Sequence, residues 1–138
     1  MSEKKIKHLE MIEADITRMA SNSFKLKSWS VTLVTGVFAL SIKDNKLVYP
    51  FIAYIPVVFF WILDTYYLKL ERQYRNLFDD VREMDENNIN FSMKILLKHN
   101  TKKTTFINCF FSSTEVWFYF PCAVFITVVL VLLIVLEK

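Results

Sequence analysis

Glycine and proline are scarce in this chain, which has one glycine and three prolines among 138 residues. An all-β fold needs many turn-forming residues between its strands, so this composition disfavours it. Glycine-rich phosphate-binding loops are excluded as well, because they need at least two glycines and only Gly36 is present. A membrane β-barrel would show short segments of alternating polarity, whereas the apolar residues here form continuous blocks. The composition therefore predicts helices.

Residues that carry out catalysis or bind metals are equally sparse. The two histidines, His8 and His99, lie far apart in the sequence, and no HExxH motif occurs. The two cysteines, Cys109 and Cys122, are 13 positions apart and form no CxxC motif. We therefore expect no enzyme activity, no cofactor and no metal site. Two free thiols are favoured over a disulfide.

The charge excess is small, since 17 basic and 14 acidic residues give a net charge of +3. Nucleic-acid-binding domains usually carry a pronounced basic excess on one face. We therefore expect no nucleic-acid partner for this protein.

Apolar residues are abundant and occur in three blocks. The longest uncharged run covers residues 116–136, and a helix of that length spans about 30 Å, the thickness of a bilayer's hydrocarbon core. Residues 24–42 and 47–66 are predicted to form a helical hairpin that crosses the membrane twice, with the polar stretch 43–46 as its turn. The sequence therefore predicts an all-α integral membrane protein with three spans.

Amphipathic, charged segments flank these blocks. Residues 4–22 place apolar side chains at helical spacing and predict an amphipathic helix that ends near residues 21–23. Its mixed charges favour packing against protein over lying on the lipid surface. The second span is predicted to continue as one helix from about residue 47 to 86. A further short helix is predicted for residues 91–98.

The distribution of basic residues predicts the orientation in the membrane. The first 27 residues hold six Lys or Arg and residues 67–114 hold eight, against two in the turn 43–46 and one at the C-terminus. Basic residues concentrate in the cytoplasmic loops of membrane proteins. The N-terminus and the helical segment 67–114 are therefore predicted to be cytoplasmic, within a single membrane domain of residues 1–138. A hairpin that dips into the membrane without crossing it is the alternative for the first two spans.

Two acidic residues at the predicted membrane boundaries are candidate functional residues. Asp64 directly follows the apolar block of the second span, where a carboxylate is costly unless it is paired or hydrated. It is interpreted as a charge that lines or gates a pore, as the partner of Arg18 or Lys27, or as an ordinary interfacial residue. Glu115 precedes the last span, where capping of the helix N-terminus is favoured over a charged, pore-lining ring in an oligomer.

Three polar residues, Arg18, Asn22 and Ser23, are predicted to lie where the amphipathic helix meets the first span. A turn at that point would need side chains that satisfy backbone groups at two helix ends, so Asn22 or Ser23 is expected to act as a cap. The alternative is that these residues, together with Lys27, couple a cytoplasmic sensor to the spans.

Two strings of residues resemble known proteins. The string RMASNSFKLK at residues 18–27 and the string FWILDTYYLKLER at residues 60–72 resemble an uncharacterised family of small bacterial membrane proteins. The likeness covers about residues 11–82. The order of N-terminal helix, two-span hairpin and cytoplasmic helix also resembles, more loosely, SLATT-type proteins, which are proposed pore-forming effectors of prokaryotic conflict systems. The third span departs from the two-span pattern of those proteins.

The resemblance implies an effector of antiphage defence in the bacterial inner membrane, which permeabilises the bilayer when a cytoplasmic sensor protein signals. A small chain cannot enclose a conduit alone, so a homo-oligomer is expected. The alternative hypothesis is a membrane anchor or adaptor that recruits a cytoplasmic protein complex through residues 67–114. In both cases the lipid bilayer is an expected partner.

Overall fold

The computed structural model describes residues 2–44 and 46–136, and within that part of the chain all regular structure is helical. The four α-helices are α1 (Glu3–Asp44), α2 (Val48–Glu83), α3 (Phe106–Phe110) and α4 (Ser113–Leu136). Three single 3-10 turns lie between α2 and α3, at Glu86–Asn88, Leu97–His99 and Lys102–Thr104. The prediction of an all-helical protein is confirmed.

Helix α1 is unbroken, so the predicted helix end near residues 21–23 is wrong. The sequence there contains no proline or glycine that would stop a helix. Its hydroxyl groups form hydrogen bonds within the helix instead. Ser28 Oγ donates to the carbonyl oxygen of Phe24 at 3.1 Å, and Thr32 Oγ1 donates to that of Ser28 at 2.9 Å. The predicted amphipathic helix and first span are therefore one continuous element.

Helix α2 confirms the prediction of one long helix, although it ends at Glu83 rather than near residue 86. The predicted turn at 43–46 starts too early, because Lys43 and Asp44 still belong to α1. Pro50 lies in the first turn of α2, where the missing N–H costs nothing. Its charged half carries an Arg75–Glu71 ion pair at 2.8 Å, as expected for residues four apart on a helix.

The charged halves of α1 and α2 pack together around a small apolar core, which we name the distal core. The distal core consists of Leu9, Ile12, Ile16, Leu77 and Val81. Beyond it, Lys5 Nζ donates to the carbonyl oxygens of Arg82 and Met84, at 3.0 and 2.7 Å. These bonds satisfy acceptors at the C-terminus of α2, which its own helix leaves free. The amphipathic part of α1 therefore packs against protein.

The connection after α2 does not contain the predicted helix at residues 91–98. Phe91 has φ of 54°, and the chain runs without regular structure until the turn Leu97–His99. Contacts with α2 explain the difference, since Asn76 Nδ2 donates to the carbonyl oxygen of His99 at 2.8 Å. Lys98 also forms an ion pair with Asp80 at 2.6 Å. Tertiary contacts thus outweigh local helix propensity here.

Helices α1 and α4 run parallel to each other and antiparallel to α2. Phe38 of α1 packs edge-on against Phe125 of α4, with ring centroids 5.6 Å apart. The hydroxyl groups of Tyr54 on α2 and Thr127 on α4 are 2.6 Å apart. A second apolar core joins α2 and α4 here, formed by Ala53, Val57, Tyr119 and Ile126.

Helix α3 lies between the loop that follows α2 and the start of α4. The ring of Phe110 stacks on Trp61 of α2 with centroids 4.3 Å apart, and Trp61 Nε1 donates to the carbonyl oxygen of Phe110 at 3.1 Å. Cys109 and Cys122 are free thiols, as predicted. Burial raises the pKa of the Cys109 thiol, which keeps it protonated at neutral pH.

Two helices, α2 and α4, are long and apolar enough to cross a membrane. Only 28% of the most apolar stretch of α2 and 11% of that of α4 are buried inside the protein. The core helix of a soluble protein would be mostly buried, so these exposed apolar surfaces favour contact with lipid.

Replacing Ile12 with alanine should lower the free energy of unfolding by about 2–4 kcal/mol, because it removes a fully buried side chain from the distal core. Thermal unfolding of the purified protein in detergent, followed by far-UV circular dichroism, measures the change. Met11→Ala is the matched control, since Met11 is the neighbouring residue and is 53% exposed. An equal loss of stability in both variants would contradict this role of the distal core.

Candidate functional site

Three charged side chains meet where the three long helices come together. Lys27 of α1 donates hydrogen bonds from Nζ to the carboxylates of Asp64 on α2 and Glu115 on α4. The bond to Glu115 Oε1 is 3.1 Å long. Tyr119, one turn after Glu115, donates its hydroxyl proton to Asp64 Oδ2 at 3.0 Å. We name these four residues the junction cluster.

The position of each side chain follows from its helix. Lys27 lies four residues after Ser23, so both face the same side of α1, and Ser23 Oγ accepts from Lys27 Nζ at 3.0 Å. Glu115 and Tyr119 are likewise four apart and share one face of α4. Asp64 ends the apolar half of α2, which faces both other helices at this level.

The junction cluster is buried. The side chains of Asp64 and Glu115 have no exposed surface, and that of Lys27 is 14% exposed. The two carboxylates face a single ammonium group in this cluster. Asp64 Oδ1 and Glu115 Oε2 have no hydrogen-bond partner among the described residues. Because two negative charges share one positive charge, burying the junction cluster costs free energy. A change in the charge of any member should therefore alter its stability.

Aromatic rings surround the ammonium group. Lys27 Nζ lies 5.8 Å from the ring centroid of Phe118 and 5.7 Å from that of Tyr119. The Tyr119 ring in turn stacks on Trp61, with centroids 5.7 Å apart. These rings exclude water, which strengthens the attraction between Lys27 and both carboxylates, and they add a cation–π contribution.

The structure brings some of the predicted site residues together and leaves others apart. Asp64 pairs with Lys27, one of its two proposed partners. The other proposed partner, Arg18, forms an ion pair with Asp15 at 2.6 Å on the protein surface. Asn22 and Ser23 lie inside α1 and cap no helix end, because α1 does not end there. Ser23 instead contacts the junction cluster through Lys27.

Glu115 lies in the first turn of α4, where the helix dipole stabilises a negative charge. Its carboxylate, however, accepts its hydrogen bond from Lys27 rather than from a backbone N–H of that turn. Because Asp64 and Glu115 are both fully buried, neither lines an open conduit in this arrangement of the helices. A pore-lining role for either would require α1, α2 and α4 to move apart.

Tyr119 is the member of the junction cluster that the sequence analysis missed. It lies within the aromatic string WFYF, where it is indistinguishable from an interfacial aromatic residue. The four-residue spacing from Glu115 was the available indication, since it places both side chains on one face of a helix.

The junction cluster can act as an electrostatic latch. Lys27 carries the only positive charge among its members and bridges α1 to both other helices. Among the described residues no group of three or more His, Cys, Asp or Glu side chains could hold a metal ion. The chemistry that the junction cluster displays is charge pairing between helices.

Replacing Lys27 with methionine should lower the free energy of unfolding by about 3–5 kcal/mol, because Asp64 and Glu115 would face each other without a cation. Adding Asp64→Asn to that variant should recover part of the loss, since one buried carboxylate is removed. Thermal unfolding in detergent measures both effects, with Lys25→Met, at an exposed lysine on the same helix, as the control. If Lys27→Met unfolds at the same temperature as Lys25→Met, the latch makes no contribution to stability.

No family model, curated protein or solved structure matches the chain, so the site is interpreted from its own geometry. The resemblance to SLATT-type proteins therefore stays a prediction, and the role of the junction cluster depends on its contacts, burial and charge.

Proposed function

We propose that this protein is a homo-oligomeric effector of the bacterial inner membrane, which permeabilises the membrane in response to a cytoplasmic signal. The observation that carries the proposal is the junction cluster, which places two carboxylates and one ammonium group where three apolar helices meet. Charged residues at membrane depth are rare and mark ion pathways and switching elements. Its antiphage role is inferred from the resemblance described above.

The packing of α1 supports a three-span arrangement. Residues 27–38 of α1 contact α4 at two levels, through the Lys27–Glu115 ion pair and the Phe38–Phe125 ring contact. If α4 crosses the membrane, this part of α1 lies at the same depth. Helix α1 then continues from Lys27 to Asp44, about 25 Å, and this length favours a full span over a hairpin that only dips into the membrane.

The distal core supports placing both charged segments on one side of the membrane. It holds the first half of α1 against the second half of α2, so these halves lie together beyond the junction cluster. Both segments are rich in basic residues, which favours the cytoplasm. The connection between α1 and α2 then faces the opposite side.

The continuous helix α1 supports coupling between a cytoplasmic signal and the spans. A helix without a break transmits a displacement or rotation along its length, and α1 extends from the distal core to the turn after the first span. A sensor protein that moved the distal core would thereby move Lys27 away from its two carboxylates. The released carboxylates would gain hydration, which favours an open, water-filled arrangement.

The outer surface of α4 supports an oligomer. Trp117, Phe120 and Val124 are exposed on one face, together with apolar residues further along the helix. Three helices cannot enclose a conduit that passes ions, so permeabilisation requires several copies whose spans pack side by side. The alternative function is recruitment of a cytoplasmic complex. It would be favoured if the membrane stays intact in every condition.

Expression of Lys27→Met should make bacterial cells leak, because the variant lacks the cation that holds the closed arrangement. Propidium uptake and potassium efflux report leakage, and membrane fractionation shows that the variant is inserted. The wild type should leak only when the proposed cytoplasmic sensor is activated, and Lys25→Met should behave as the wild type. Inserted Lys27→Met that never leaks, with a wild type that stays silent under activation, would contradict the proposal. Co-purification of a cytoplasmic complex would then favour the adaptor.

Cysteine labelling should report the proposed topology. Lys46→Cys, in the turn between α1 and α2, should react with a membrane-impermeant maleimide in intact spheroplasts, whereas Lys4→Cys should react only after lysis. Native Cys109 is buried and native Cys122 is half-buried, so background labelling should be low. Equal labelling of both positions in intact spheroplasts would overturn the three-span arrangement with a cytoplasmic N-terminus.

A further inference from the structure

A basic groove lies between the charged half of α2 and the turn Lys102–Thr104, with a volume of about 810 Å³. Four of its lining residues are cationic: Arg72, Arg75, Lys102 and Lys103. The others that line it are polar or acidic: Asn76, Asp79, Thr101, Thr104 and Asn108. It is separate from the junction cluster, and the proposed permeabilising mechanism does not use it.

The groove keeps a positive excess after its own ion pairs are considered. Arg75 is paired with Glu71 at 2.8 Å, and Asp79 is paired with Arg82 at 3.2 Å, so these charges are largely compensated. The positive charge of Arg72 and of the two exposed lysines remains. An uncompensated cluster of cations on a surface favours an anionic ligand.

The backbone that presents the lysines is held in place. Arg72 Nη1 donates to the carbonyl oxygen of Lys103 at 2.7 Å, which fixes the turn against α2. Thr104 Oγ1 accepts from the N–H of Thr101 at 2.8 Å and closes the turn. The backbone that carries the two lysines is therefore already ordered, and a ligand would have to order only their side chains.

If α2 and α4 cross the membrane, the groove lies close to the membrane surface. Helix α3 begins two residues after the turn, and its Phe110 stacks on Trp61 in the apolar half of α2. Beside that contact Ile107 and Phe111 are 71% and 67% exposed, as expected for side chains that enter the bilayer interface. In that arrangement the lysines just before α3 lie at the depth of lipid headgroups.

We propose that this groove binds a phosphate group. Arginine and lysine side chains are the usual phosphate ligands in proteins, because their N–H donors form charge-assisted hydrogen bonds with phosphate oxygens. The phosphate is carried by an anionic phospholipid of the cytoplasmic leaflet or by a soluble phosphorylated molecule, and both present the same chemistry to the groove. This inference does not depend on the proposed permeabilising function.

Titration of the full-length protein in neutral detergent distinguishes the two sources. One arm adds short-chain phosphatidylglycerol, with phosphatidylcholine as the uncharged comparison, and the other arm adds inorganic pyrophosphate. Isothermal titration calorimetry gives the affinity in each arm. Binding of phosphatidylglycerol alone identifies a lipid site, whereas binding of pyrophosphate identifies a site that takes soluble ligands. The absence of binding in both arms overturns the proposal.

The double variant Lys102→Gln/Lys103→Gln should bind the active probe about tenfold more weakly or worse, because two cations near the phosphate are lost. Lys4→Gln/Lys94→Gln is the matched control, since it changes the net charge equally at two exposed lysines outside the groove. The control should keep wild-type affinity. Equal weakening in both variants would show attraction by net charge alone and would overturn the groove. Circular dichroism and the unfolding temperature confirm that both variants fold.

Discussion

The ammonium group of Lys27 holds the arrangement of the three long helices. It is the point at which α1 contacts both α2 and α4 through charge, and aromatic rings keep water away from it. Apolar packing alone sets helices side by side in lipid with little preference for depth or rotation, since lipid is as apolar as the side chains. The buried charges supply that preference, because each carboxylate is tolerated only where Lys27 can reach it.

Much of the architecture could be predicted from the sequence because it follows from long apolar runs. Helices α2 and α4 begin and end within a few residues of their predicted limits, whereas α1 continues two residues into the predicted turn at 43–46. The partnership of Asp64 with Lys27 was one of several alternatives. The sequence could not choose among them, because the choice depends on how α1 is rotated against α2.

Other features depend on contacts that local patterns do not contain. The polar residues Asn22 and Ser23 look like a helix end, yet they continue α1 because neither stops a helix. Residues 91–98 look helical, yet residues 91–96 have no regular structure, because contacts with α2 and the distal core hold this segment. Glu115 was expected to cap α4, and the long-range contact with Lys27 takes its carboxylate instead.

The unbroken helix α1 also constrains how this chain can change over generations. Its distal-core residue Ile12 and its junction residue Lys27 lie on the same continuous helix, and each faces α2. Inserting a single residue between them would turn one contact away from the other by about 100° and shift it by about 1.5 Å. Insertions and deletions of one residue between these two positions should therefore be rejected, whatever residue types are introduced.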